Sequence, residues 1–399
     1  MNKQIFYYLV GGIISLAIGL GISRFAYTGI LPMMQNDLGF SETFAGYLAG
    51  SNFLGYLIGA ILVTLLPLQK HRVLYFRIGL IVSVITTFMM GLTHSFILLM
   101  LIRLFAGISS AFILILSSSI VLDRLAQENK TNLGGYFYSG VGVGIFLSAI
   151  LIPKLNHSFH WEGAWIGLAI ISFAIMIFSL IWIKEFTNKE TKLEVQKSTI
   201  KTPPRNWLPF LTIAYGLEGL GYIVTGTFLV SIAEQSNIFS DGGPAIVWMF
   251  VGIAAIPSCV IWSEIAKRWG YVKTIFLSMV LQAFGIALPV IWLTPISFII
   301  CAILFGGTFM GIATLITTLG REISPVNSSR VIGALTFSLA AGQMIGPVVA
   351  GMLNDFTGSY HTSLLGAASV VFVGSLFLVS GIKYEKPTNV EVSPYKISR

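Results

Sequence analysis

Twelve stretches of this chain are apolar over the full depth of a bilayer core, and that feature removes most folds from consideration. Crossing about 30 Å of hydrocarbon takes roughly 20 helical residues. The runs lie at 5–32, 43–66, 73–93, 96–122, 133–155 and 163–183, then at 208–233, 244–266, 273–293, 296–319, 329–353 and 361–382. None alternates polar and apolar residues as a barrel strand does. In hydrocarbon every backbone amide must be satisfied within its own segment or in a closed barrel, so these runs predict helices. Charged residues make up 10% of the chain against 55% hydrophobic ones, too few to cover a soluble globule. The first run follows Lys3 in the manner of a secretory signal, but it is too long for one and reads as a retained span.

The formal net charge of +8 raises the question of a nucleic-acid partner, and the placement of the 24 Lys and Arg residues answers it. They lie between the apolar runs and form no basic face, so no nucleic acid is expected. With the N-terminus inside, twenty-one fall in cytoplasmic segments and only Lys154 on the other side, while Arg24 and Arg103 lie within spans. Basic residues are retained on the cytoplasmic side, which predicts a multi-pass protein of the cell inner (plasma) membrane with both termini cytoplasmic. Cys259 and Cys301 fall inside spans and read as small core residues, neither a disulfide pair nor a metal site.

The longest connection is charged and ends in Pro203-Pro204, in the manner of a flexible linker. It predicts an N-terminal six-helix bundle over 1–184, a cytoplasmic linker over 185–206, a C-terminal six-helix bundle over 207–383 and a tail over 384–399. A shift of 197 positions superposes Gly19, Leu20, Phe25, Thr28 and Gly29 of span 1 on Gly216, Leu217, Tyr222, Thr225 and Gly226 of span 7. A shift of 200 places Phe105 and Gly107 on Phe305 and Gly307. Both matches fall where a duplication of six spans would put them.

Arg24, Arg103 and Glu218 are the formally charged residues well inside spans. A charge near the bilayer centre costs at least ~2.5–3.5 kcal/mol on insertion scales, so each should face a partner or a wet cavity. Arg24 and Tyr27 share a face of span 1, Asn52 and Tyr56 pair on span 2, Tyr215, Glu218, Tyr222 and Thr225 form a stripe on span 7, and Thr336 and Gln343 share a side of span 11. The expected substrate-binding residues are Arg24, Tyr27, Asn52, Tyr222 and Gln343. Glu218 is the candidate for proton coupling, since a desolvated carboxyl can take up a proton, and Arg103 is a further cation that could attract the solute. The bland alternative for each arginine is a structural pair between helices. The glycines of spans 5 and 11 predict close helix packing, and His157 and His160 fall in an outer connection as a poor metal pair.

The opening GLGISRFAYTGILPMMQ, the span 2 segment AGYLAGSNFLGYLIGA and the span 11 segment GQMIGPVVAGMLNDFTGS resemble the YbfB/YjiJ branch of the major facilitator superfamily. The run RLFAGISSA is similar to that superfamily's span 4 motif, whose arginine is linked to proton transfer in antiporters and falls on Arg103, so the resemblance implies a proton-coupling role there. AKRWGYVK resembles its conformation-sensing loop after span 8, except that Lys267 stands where an aspartate is usual. Glu264, one turn away, is then the candidate substitute in the cytoplasmic charge lock.

The resemblance implies two pseudo-symmetric bundles and alternating access without ATP chemistry. The expected function is secondary active transport of a small polar or anionic solute, coupled to protons. A proton-driven exporter of drugs or metabolites and a transporter-like nutrient sensor remain the alternatives. A membrane enzyme would need convergent catalytic groups that these scattered histidines do not supply. Expected partners are the solute, protons and the lipid bilayer. No cofactor is called for, and a monomer is the default.

Overall fold

The computed structural model describes residues 3–66, 71–185, 202–239, 242–325 and 327–385. The expected linker at 185–206 and tail at 384–399 therefore lie mostly outside the described residues. Among those described there is no strand, and eleven helical stretches are long and apolar enough to cross a membrane. One of them, Thr131–Trp182, runs for 52 residues, enough for two crossings. It breaks at Phe159 and His160, where His160 takes φ 56° and ψ −172°. Divided there, the described residues hold twelve helical segments of spanning length, and the turn between spans 5 and 6 is two residues, tighter than the loop the sequence suggests.

We number the helices α1 (Lys3–Leu38), α2 (Glu42–Leu65), α3 (Arg72–Met90), α4 (Phe96–Gln127), α5 (139–158), α6 (161–182), α7 (Leu208–Gln235), α8 (Gly243–Trp269), α9 (Tyr271–Ile291), α10 (Pro295–Ile323), α11 (Ser328–Thr357) and α12 (Tyr360–Ile382). Within the first six, α4 packs on α2 and α3, and α5 packs on α1. Within the last six, α10 packs on α8 and α9, while α7 packs on α11 and α12. The two bundles meet along α2 with α11 and α5 with α8, pairs that exchange when every helix is advanced by six, and also along α1 with α7.

Close approach of backbones explains why small residues sit at these crossings, since lipid gives apolar helices little reason to associate and packing must supply it. A Cβ on Gly107 of α4 would collide with the Asn52 carbonyl of α2, and one on Gly55 with the Leu104 carbonyl. Between bundles, a Cβ on Gly142 of α5 would come within 2.6 Å of the Ile256 nitrogen of α8.

α1 is not a continuous α-helix. Residues Ala17–Ile22 form a π-helical turn, with Ser23 N donating to Ile18 O at 2.9 Å and Phe25 N to Leu20 O at 3.0 Å, before helix resumes at Ala26. Such turns free backbone groups and redirect side chains. Here the break falls at Arg24.

Glu264 does not supply the expected charge lock. Its Oε1 lies 2.5 Å from Lys267 Nζ on the same exposed helix turn. The start of α9 is capped instead by Glu385, whose carboxylate accepts from Val272 N at 2.7 Å and Lys273 N at 3.2 Å. Burial pushes the Glu385 carboxyl upward from its ordinary range, and the backbone donors oppose that shift.

Candidate functional site

A cavity of about 920 Å³ lies between the bundles. It runs from Leu20, Arg24 and Phe25 at its blind end toward Leu66, Arg72, Asp123 and Arg321 at the basic end of the molecule. Tyr56, Tyr138, Tyr215, Glu218, Tyr222, Phe309 and Gln343 also line it. The wall is mostly aromatic and aliphatic with a few convergent polar groups, the usual make-up of a small-molecule site.

Arg24 is buried at the blind end and makes no ion pair among the described residues. Its guanidinium rests over the rings of Phe53 at 4.4 Å, Tyr56 at 4.8 Å and Phe25 at 5.6 Å. Cation–π attraction of this kind is strongest where water is excluded and offsets part of the cost of burying the charge. One nitrogen, Nη2, donates to Gln343 Oε1 at 2.9 Å, and Gln343 Nε2 in turn donates to the Tyr222 hydroxyl. That chain passes from α1 in the first bundle to α11 and α7 in the second. Beside it, the Thr28 hydroxyl donates to the Gly226 carbonyl, a second direct tie between α1 and α7.

Glu218 lines the same cavity one turn from Tyr222. It is buried and unpaired with any cation, and its Oε1 makes no hydrogen bond among the described residues. Gln282 of α9 lies near enough to influence it, yet neither amide atom of Gln282 makes a well-formed hydrogen bond. The carboxyl therefore lies in the cavity wall without the salt bridge that a purely structural buried charge would need.

Tyr27, Asn52 and Arg103 form a second group, just behind the cavity wall and not lining it. Arg103 Nη1 donates to the Ser23 carbonyl at 3.1 Å, and its Nη2 lies 3.5 Å from the Arg24 carbonyl. Its guanidinium sits 4.6 Å from the centre of the Tyr27 ring, and Asn52 Nδ2 donates to the Arg103 carbonyl at 3.0 Å. The Tyr27 hydroxyl donates to the Ala45 carbonyl at 3.0 Å. Arg103 therefore satisfies carbonyls beside the break in α1, the role an intramembrane backbone break requires of a neighbour. The expected site residues thus divide: Arg24, Tyr222, Gln343 and Glu218 face the cavity, whereas Tyr27, Asn52 and Arg103 brace the segment that presents Arg24.

Sequence reasoning did not single out the end of the molecule opposite the basic one, where a polar clasp joins the bundles. The Glu42 carboxylate of α2 accepts from Gln35 Nε2 at 2.8 Å, from Gln235 Nε2 at 2.9 Å and from the Tyr360 hydroxyl. Asp355 of α11 accepts from the first backbone amides of α2, Glu42 N at 3.1 Å and Thr43 N at 2.9 Å. One signal for it was present. A carboxylate in the last turn of its own helix opposes the helix dipole, so the placement of Asp355 is one that its own helix does not favour.

Two six-helix bundles that enclose a polar-ended crevice and clasp each other at one end define a membrane transporter of the major facilitator type. Residues 16–379 match the family described as "Uncharacterised MFS-type transporter YbfB", and the chain belongs to that family. It is 24% identical to the putative transporter AraJ of Escherichia coli (strain K12), over 95% of this chain and 98% of the relative. Its identity to the quinolone resistance protein NorA of Staphylococcus aureus (strain MRSA252) is 26%, over 89% of this chain and 91% of the relative. The crystal structure of the nucleoside transporter NupG shares the fold, with a TM-score of 0.69 at 16% identity, covering 96% of this chain and 100% of that one. The chain is accordingly a multi-pass membrane transporter and not an enzyme.

Proposed function

We propose that the chain is a secondary active transporter of the plasma membrane that carries a small polar or anionic solute by alternating access, coupled to protons. The observation that supports this most is Arg24, a buried cation without a carboxylate partner among the described residues, at the blind end of a cavity between the bundles. On this reading the basic end is cytoplasmic, both termini lie there, and the described conformation opens inward. The moving bodies are 1–184 and 207–383, joined by the linker at 185–206 and followed by the tail at 384–399. Arg24, Gln343 and Tyr222 hold the solute, with Tyr27, Asn52 and Arg103 fixing the position of Arg24. Glu218 carries the coupling proton. A monomer contains every one of these groups.

The test is concentration-dependent uptake of organic anions into proteoliposomes that hold the full chain. Arg24→Ala should weaken the apparent affinity for a transported anion by roughly tenfold or more, as expected when a charge-assisted contact to the ligand is lost. Full uptake at unchanged apparent affinity would refute the anion reading.

A second reading, drug or metabolite export driven by protons, is favoured by the size and aromatic wall of the cavity and by the likeness to a quinolone resistance protein. The two differ in direction. Export predicts that a strain lacking the chain accumulates more of the solute, and import predicts less.

A further inference from the structure

The cavity's chemistry narrows the solute further. Three aromatic rings surround the Arg24 guanidinium carbon at 4.4–5.6 Å, and its N–H groups are what remain to bind an acceptor. Of these, Nη2 donates to a neutral amide oxygen and Nε has no acceptor among the described residues. A planar fork of donors matches a carboxylate, which adds a second parallel hydrogen bond and an opposite charge that the amide oxygen lacks.

The neighbouring wall is flat and aromatic. Tyr222, Phe305 and Phe309 lie with ring planes 11–27° apart and centroids 5.4–6.1 Å apart, an offset-parallel set, with Phe25 edge-on to Phe309 at 5.8 Å. Of these rings Phe25, Tyr222 and Phe309 line the cavity. Aromatic surfaces of this kind favour another planar ring over an aliphatic body of equal area. Glu218, one turn from Tyr222 on the same wall, disfavours a second negative charge whenever its carboxyl is ionised.

Resting on the transport reading above, we infer that the solute is an aromatic monocarboxylate. Its carboxylate takes the place of the Gln343 amide oxygen on Arg24, and its ring lies along the Phe25, Tyr222 and Phe309 wall. The exchange also has a conformational consequence. The Arg24 to Gln343 bond joins α1 to α11 directly, and substitution by the solute's carboxylate turns that tie into one that runs through the solute.

Equilibrium binding of radiolabelled 2-naphthoate to the full-length detergent-purified chain, with unlabelled competitors, tests this. The expected order is 2-naphthoate tightest, trans-decalin-2-carboxylate weaker by about threefold or more, and 2-naphthamide and naphthalene-2,6-dicarboxylate weaker by about tenfold or more. Phe309→Leu should erase the ring preference and keep the acid over amide preference. Arg24→Gln should do the reverse, and because the wild-type competition needs no variant, a folding defect in either one leaves the test intact.

If the decalin acid binds as tightly as 2-naphthoate, the aromatic inference falls while the anion reading stands. If the amide, or trimethyl(2-naphthyl)ammonium, binds as tightly as the acid, both fall. Absence of 2-naphthoate binding at millimolar concentration likewise overturns the inference.

Discussion

The clasp away from the basic end gives a prediction whose size can be worked out. Asp355 holds two backbone amides at the first turn of α2, at 3.1 and 2.9 Å, while Ser41 caps a third, Phe44 N, at 3.2 Å. Losing a capping carboxylate costs about 0.5–2 kcal/mol, and the exposure of this site places the loss near the middle of that range, about 1 kcal/mol. The cap exists only while α2 and α11 meet at this end, so in the proposed orientation Asp355→Ala should shift the balance toward the outward-open form by roughly fivefold. Removing a carboxylate from the last turn of α11 relieves an unfavourable dipole interaction of about 0.3–1 kcal/mol. Melting temperature should therefore change little while conformation changes. The assay is the rate at which a membrane-impermeant maleimide applied outside intact cells labels a cysteine placed at Ser231, which lines the small vestibule beside Glu42. The native thiols, Cys259 and Cys301, are both buried and would be replaced by alanine beforehand. A labelling rate that is unchanged or slower in Asp355→Ala would refute the claim that this contact closes the outer side.

Glu218→Gln should make transport insensitive to an imposed pH gradient while solute binding persists, and a retained response in proteoliposomes would remove Glu218 from coupling. Arg103→Lys keeps the charge but cannot span two carbonyls with a planar fork. It should lower the melting temperature of the purified chain and leave the order of competitor affinities unchanged, and a changed order would make Arg103 a solute contact. Gly107→Ala pits a helix-propensity gain of about 1 kcal/mol against a collision with the Asn52 carbonyl and a typical overpacking cost of about 1–3 kcal/mol. The collision involves backbone and cannot be relieved by a rotamer, so the variant should melt at a lower temperature, and equal or higher stability would show that α2 and α4 can separate.

Twelve crossings and the division into bundles were legible because they depend on run length and on periodicity, which a sequence carries directly. Arg24 and Glu218 were legible for a related reason: an ionised group in an apolar run is conspicuous wherever it points. Direction was what the sequence withheld. Arg24 and Arg103 look alike as arginines inside spans, yet one faces the cavity and the other braces the backbone behind it, because the π-helical turn at Ala17–Ile22 rotates the end of α1. Two glycines, Gly19 and Gly21, were the only local trace of that turn. Partners such as Phe53, Phe309 and Asp355 come from other helices, and their roles follow from crossings between distant segments that no local pattern encodes.

The ties across the interface differ in what can break them. The clasp at Glu42 and Asp355 involves no group that lines the main cavity, so a solute entering from the basic end cannot compete for it. The Arg24 to Gln343 bond is exposed to that competition, because both residues line the cavity. A ligand shifts a conformational equilibrium only by its differential affinity for the two states. Solute binding can therefore act on the inner tie directly and on the outer clasp only through the helices that carry both, α1 with α2 on one side and α7 with α11 on the other. Protonation of Glu218 falls on α7, between Tyr222 and the basic end. On the proposed reading the proton and the solute bear on the same pair of helices from adjacent turns, which is what obligatory coupling between them would require.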